Sequence, residues 1–210
     1  MIVEAYERCG IEVRDGYDMK TAMRSINLLF AEWANRGLNL WTIEQREVTL
    51  VTGTYQYALP LDTVDALSAV IRTNAGQSTQ QDITVDRIGY AEYLHIPNKS
   101  TQSRPAQWFL QRTTTPQLFL YPAPDATQTY VFRYYAVRRI QDTGTFTNTA
   151  DVVFRFLPCL VAGLSYYLSV KKAPDRVQLL KTMYDEEFTR ASNEDRENSG
   201  YFAVPMYQQR

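Results

Sequence analysis

Between residues 18 and 50 the hydrophobic period changes from that of a helix to that of a strand, with no linker between the two. In the stretch DMKTAMRSINLLFAEWANRGLNLW, Met19, Ala22, Met23, Ile26, Leu29, Phe30, Trp33 and Ala34 recur at helical spacing and define one buried face. Asp18 stands where a carboxylate can cap the helix start, and Gly37 where a left-handed residue can close the last turn. From Ile43 to Leu50 the alternation has period two, so the helix hands over directly to a sheet. At 210 residues the chain is long enough for a good core and reads as two layers of one body, helical and β.

The rest of the chain fits this α+β frame. Residues 2–9 predict a short helix that makes a helical hairpin with the long one. Val48 and Leu50, the turn Thr52-Gly53-Thr54, and Tyr55, Tyr57 and Leu59 predict a β-hairpin stopped by Pro60. Residues 64–72 fit helix or strand, and their β-branched end before Asn74-Ala75-Gly76 favours a strand. Residues 83–85 fit a further short strand. Asp86 is placed to cap a short helix running to His95, and residues 98–104 form a polar, mobile loop.

Residues 106–111, 117–121 and 129–137 predict three strands in a meander. The last, with bulky side chains on both faces, reads as a central strand or one at a subunit contact. After a polar loop at 141–151, helix periodicity returns over 155–172, with Pro158 in the first turn and Lys171-Lys172 at the dipole-compatible end. Pro174 restarts a last helix whose core-facing residues are Val177, Leu180, Met183, Tyr184 and Phe188. The expected organisation is N-terminal helices over 1–42, a central antiparallel β-sandwich or barrel-like domain with one short helix over 43–150, a C-terminal helical hairpin over 151–199 packed on the N-terminal helices, and an extended tail over 200–210.

Composition excludes several classes of function. With 22 basic and 23 acidic residues the net charge is -1, which argues against gripping nucleic acid by neutralising phosphates. Cys9 and Cys159 read as buried hydrophobes and not as a disulfide framework. The N-terminus does not resemble a signal peptide, and the longest apolar tract, residues 156–170, is too short to span a bilayer. His95 is the only histidine, so neither a histidine-rich metal site nor a choice of catalytic triads can be assembled, and it reads as a surface or loop residue. No glycine pattern marks a nucleotide site, and Asp185-Glu186-Glu187 reads as a solvated helix face. Asn98-Lys99-Ser100 matches a glycosylation sequon by chance. Catalytic, cofactor and metal sites are therefore all expected to be absent.

The aromatic surplus, 15 Tyr, 9 Phe and 3 Trp, reads as sheet core and subunit interface, because a base-stacking platform would come with a basic groove. The end of the chain has its own text. A polar helix end and Gly200 precede Tyr201, Phe202, Val204, Pro205, Met206, Tyr207 and Arg210. A terminal apolar segment can simply dock on its parent domain. Here hydrophobic anchors on an arm, with Pro205 limiting the entropy lost on ordering, favour capture of a partner chain.

In their order, the segments INLLFAEWANRGLNLWTIEQREVTLVTGTYQYALP, EYLHIPNKSTQSRPAQWFLQ, QLFLYPAPDATQTYVFRYY and FLPCLVAGLSYYLSVKKAPD resemble the head-to-tail adaptor proteins of short-tailed phages, also called tail tubular or packaged-DNA-stabilisation proteins. The resemblance implies a virion protein made in the host cytoplasm. It implies a homo-oligomer, a dodecameric ring beneath the portal protein, that receives the tail tube or nozzle on its other side and bears a C-terminal extension reaching the portal. Residues 201–210 would be that extension. DNA would pass through the channel without specific binding, and no membrane partner is implied. The adaptor is not expected to be an enzyme; some relatives are linked to cell-wall cleavage, but no carboxylate pair is placed for it here. Two other classes stand as alternatives: a nucleic-acid-binding β module using aromatic stacking, and a small hydrolase using His95 with nearby acids.

Overall fold

The computed structural model describes residues 1–195 except residues 15, 39, 143 and 145–149. In chain order its elements are α1 (Ile2–Arg8), α2 (Gly16–Asn35), β1 (Ile43–Thr49), β2 (Gln56–Ala58), β3 (Thr63–Thr73), β4 (Gln81–Thr84), β5 (Asp86–Arg87), α3 (Tyr90–His95), β6 (Gln107–Gln111), β7 (Gln117–Tyr121), β8 (Tyr130–Arg138), α4 (Leu157–Lys172) and α5 (Val177–Glu194). The chain is α+β with helices at both ends. It divides into two compact units, one of Met1–Leu40 with Asp142–Arg210 and one of Trp41–Gln141. The expected tail at 200–210 and most of the polar loop at 141–151 lie outside the described residues.

In the helical unit α4 is the centre. Residues 159–165 are buried on every side, because α1, α2 and α5 each pack against this helix. The two N-terminal helices meet chiefly through α4, with Tyr6 Oη also donating to the Asp18 carbonyl at 2.8 Å. Gly163 sets the approach: a Cβ there would lie 2.9 Å from both Leu29 methyls and from the Tyr184 ring edge. Trp33 Nε1 donates to Tyr184 Oη at 3.1 Å, joining α2 to α5.

The predicted end of α2 holds. Gly37 has φ +81°, Leu38 N donates to Trp33 O at 3.0 Å and Gly37 N to Ala34 O at 3.3 Å. This pair of bonds satisfies the last carbonyls, and the buried Leu38 follows Gly37 into the core. The predicted start does not hold. The helix begins at Gly16, so Asp18 lies inside its first turn; Oδ2 accepts from Arg14 N at 3.2 Å and Oδ1 accepts from Lys172 Nζ. A carboxylate in the first turn still serves the unpaired amides and the dipole, but from within the helix. Met183, expected in the core, faces outward with 41% of its surface exposed, while Leu180, Tyr184, Phe188 and Ala191 form the buried stripe of α5.

The β unit is a sandwich of two four-stranded sheets, ordered β1-β8-β3-β4 and β2-β7-β6-β5. Trp108 and Leu110 from one sheet and Ile71, Phe132 and Tyr134 from the other share one core, with the Trp108 and Phe132 rings 5.8 Å apart. As expected, β8 is a central strand, flanked by β1 and β3. Three local expectations are corrected. β1 and β2 are not a hairpin: β1 pairs with β8 and β2 with β7. Gly53 N donates to Pro124 O, which draws the turn to the neighbouring segment and sends the chain into the other sheet. The meander stops after the β6-β7 hairpin, because β8 also joins the first sheet. Asp86 caps no helix; it pairs in β5 parallel to β6, and α3 starts after Gly89, whose amide donates to Glu92 Oε2 at 2.8 Å. Residues 98–104, expected as a free loop, are tied down by Ala123 N to Thr101 O and Ser103 N to Ala123 O, both 2.9 Å.

Candidate docking surfaces

Strand alternation explains where the β unit offers a surface. In β6 and β7, Trp108, Leu110, Leu118 and Leu120 point into the sandwich, so Phe109 and Phe119 fall on the opposite face. There α3 covers them in part. Tyr90 meets Phe109 edge-on at 4.6 Å, and Tyr93 stacks on Phe109 and tilts against Phe119, each at 5.3 Å. Beside these rings lies an open apolar groove of about 520 Å³, to which Leu94 and Lys99 also contribute. Tyr90 and Leu94 are 64% and 73% exposed, so α3 leaves apolar area uncovered. Lys99 is the one cation in the groove lining; it lies 5.3 Å over the Tyr93 ring and donates to Ile96 O at 3.1 Å.

The outer face of the first sheet is different. Glu47 pairs with Arg133 across β1 and β8, and Arg72 with Asp82 across β3 and β4 at 2.6 Å, leaving Tyr135 half exposed among them. Arg72 holds the Asp82 carboxyl below its ordinary range. At the end of the sandwich Arg46 gathers Glu44, Asp62 and Thr63, with Asp62 Oδ2 at 2.6 Å, and lowers the Asp62 carboxyl in turn. Both sets of paired charges brace strands.

The chemistry considered from the sequence is placed as follows. His95 is exposed at the end of α3, and Asp185 and Glu186 are exposed on α5. Cys9 and Cys159 are free and buried; burial raises both thiols, Cys159 to about 12. Among the described residues no group of three or more His, Cys, Asp or Glu could hold a metal ion, and no helix is long and apolar enough to cross a membrane. Residues 201–207 and Arg210 lie outside the described residues.

No curated protein matches the chain. The family pattern of the SU10 adaptor protein matches residues 8–206, which takes in both units. The chain belongs to that family. The adaptor is accordingly a phage adaptor protein and a virion component, and its family implies a structural, non-enzymatic role. Of the surfaces the adaptor offers, the groove is one that the sequence alone did not reveal. Its signal was present in QWFLQ and QLFLY, where aromatic or aliphatic residues occupy both strand faces and so call for a cover on the outer one as well as the inner.

Proposed function

We propose that the adaptor forms a ring, a dodecamer by resemblance, between the portal and the tail tube or nozzle, and so extends the channel through which the genome is retained and ejected. The observation that carries this reading is the family match over residues 8–206. That match continues to Met206, within the anchors Tyr201, Phe202, Val204, Pro205 and Met206, so the tail belongs to the family pattern. In this reading those anchors, with Tyr207 and Arg210, dock on the portal while the folded units build the ring. A net charge of -1 suits a ring around moving DNA, because counterion-release binding to phosphates would resist translocation. The aromatic groove holds a single cation in its lining, a poor basis for gripping a nucleic acid strand.

Light scattering of the purified chain, alone and mixed with portal rings from the same virion, tests the proposal. The full chain is expected to decorate portals in multiple copies, and a chain lacking residues 200–210 to keep its helical circular dichroism yet fail to attach. A truncated chain that decorates portals as well as the full one refutes the docking role of the tail.

A further inference from the structure

Each of two helices in the helical unit carries a second, outward stripe that its own fold leaves uncovered. On α2, Tyr17, Lys20, Arg24, Leu28 and Ala31 fall at i, i+3, i+7, i+11 and i+14, on the side opposite the buried Ala22, Ile26, Leu29 and Trp33. Tyr17 and Leu28 are 67% and 56% exposed. Lys20 and Arg24 make no ion pair among the described residues. On α5, Leu179, Met183, Glu186, Arg190 and Glu194 form an exposed stripe along one flank, roughly a third of a turn from the buried Leu180, Tyr184, Phe188 and Ala191. Leu179 is 64% exposed. Arg190 is held by Glu187 at 2.5 Å, whereas Glu186 and Glu194 make no ion pair among the described residues. Among the described residues, one stripe is therefore apolar with two cations outside any ion pair, and the other apolar with two such carboxylates beside the paired Arg190.

We infer that the α2 stripe of one copy docks on the α5 stripe of a second copy. Charge complementarity selects this pairing. An α2-to-α2 contact would oppose four such cations and an α5-to-α5 contact four such carboxylates, and like charges brought together repel and disfavour the pairing. A contact between two different patches is heterologous and propagates head to tail, closing into a ring when the rotation allows. Leu28 and Ala31 on one side, with Leu179 and Met183 on the other, supply the apolar centre that such a helix pair needs. This contact is the subunit interface of the ring proposed above and rests on that reading.

Two charge-reversed chains test it: Lys20→Glu with Arg24→Glu, and Glu186→Lys with Glu194→Lys. All four sites are exposed, and unchanged circular dichroism confirms that each variant folds. Assembly is read as particle mass by light scattering, with and without portal rings. Each variant alone presents two stripes of the same sign and is expected to lose assembly, remaining at the 24.3 kDa of one copy. An equimolar mixture restores opposite signs at every contact, so assembly is expected to return with the two variants alternating. If the wild type assembles and the variants assemble equally well, or if mixing restores nothing, the inferred contact is wrong and the ring reading stands. If the wild type stays at one copy in every mixture, the ring reading falls and this contact with it.

Discussion

Replacing Gly163 with alanine sets two effects of opposite sign against each other. In an open helix the change would stabilise by about 1 kcal/mol, since glycine is that much the poorer helix former. In α4 the new methyl would stand 2.9 Å from both Leu29 methyls and the Tyr184 ring edge. Carbon atoms rest at about 3.5–4.0 Å, so both walls must retreat by roughly 0.6–1 Å. Neither wall is free to do so: Leu29 is 0% and Tyr184 2% exposed, and Tyr184 Oη accepts the Trp33 indole proton at 3.1 Å. Overpacking a closed core costs about 1–3 kcal/mol, and strain on both sides of one helix with a buried hydrogen bond at risk belongs at or above the top of that range. The net expectation is a loss of about 2 kcal/mol or more, at some 2–4 °C in Tm per kcal/mol for a chain of this size. Thermal and urea unfolding followed by helical circular dichroism measure it. Pairing the change with Leu29→Ala should make the double variant less destabilised than the sum of the singles, because the methyl then fills part of the cavity. A Gly163→Ala protein as stable as the wild type or more so would refute the close approach.

Further consequences are open to measurement. Gly37→Ala places a Cβ in open space at φ +81°, so its cost is purely conformational, roughly 1–2 kcal/mol in urea unfolding. Phe132→Ala empties a fully buried ring position between the sheets and should cost about 3–5 kcal/mol, with loss of near-ultraviolet aromatic ellipticity. The Asp18 carboxyl is lowered by the Lys172 ammonium and then by the Arg14 amide. Its contribution is therefore present above the ordinary carboxylate range and is lost as pH falls through the lowered folded value; Asp18→Asn should flatten that part of an acid titration of stability. Cys9 and Cys159, buried and with raised thiols, should resist a thiol-specific reagent in the native protein and react on unfolding; reaction of the native protein at the rate of a free thiol would contradict their burial.

What could be read in the sequence was local and periodic. The buried face of α2, the left-handed close at Gly37, Pro158 in the first turn of α4 and the central position of β8 all follow from spacing or from one residue's backbone preference. What could not be read was which strand pairs with which. Residues 51–54 have hairpin chemistry, but the amide of Gly53 bonds to Pro124, a partner 71 positions away that no local pattern announces. Asp86 and Asp18 show the same limit at single residues. Each has the side chain of a helix cap, but Asp86 is taken into a strand by pairing with β6, and Asp18 sits inside the first turn, bonded by the Arg14 amide and Lys172. Of the docking surfaces, the second stripe on α2 was legible in the spacing of Tyr17, Arg24 and Leu28, but a search for one buried face passes over it.

The register of β1 on β8 bears on how the helical unit can form at all. Its hydrogen bond from Trp33 to Tyr184 joins residues 151 positions apart, and α4 and α5 leave the ribosome only after the whole sandwich segment. Closing so long a disordered chain is slow and entropically costly. Ile43 sits opposite Val137, so once the sandwich has formed, the two ends of the inserted segment are held about 5 Å apart on adjacent strands. The 101 residues of Trp41–Gln141 then count, for loop closure, as little more than a turn. The sandwich therefore acts as an internal clasp: destabilising it should slow the closing of the helices around α4, even though none of their own contacts has been touched.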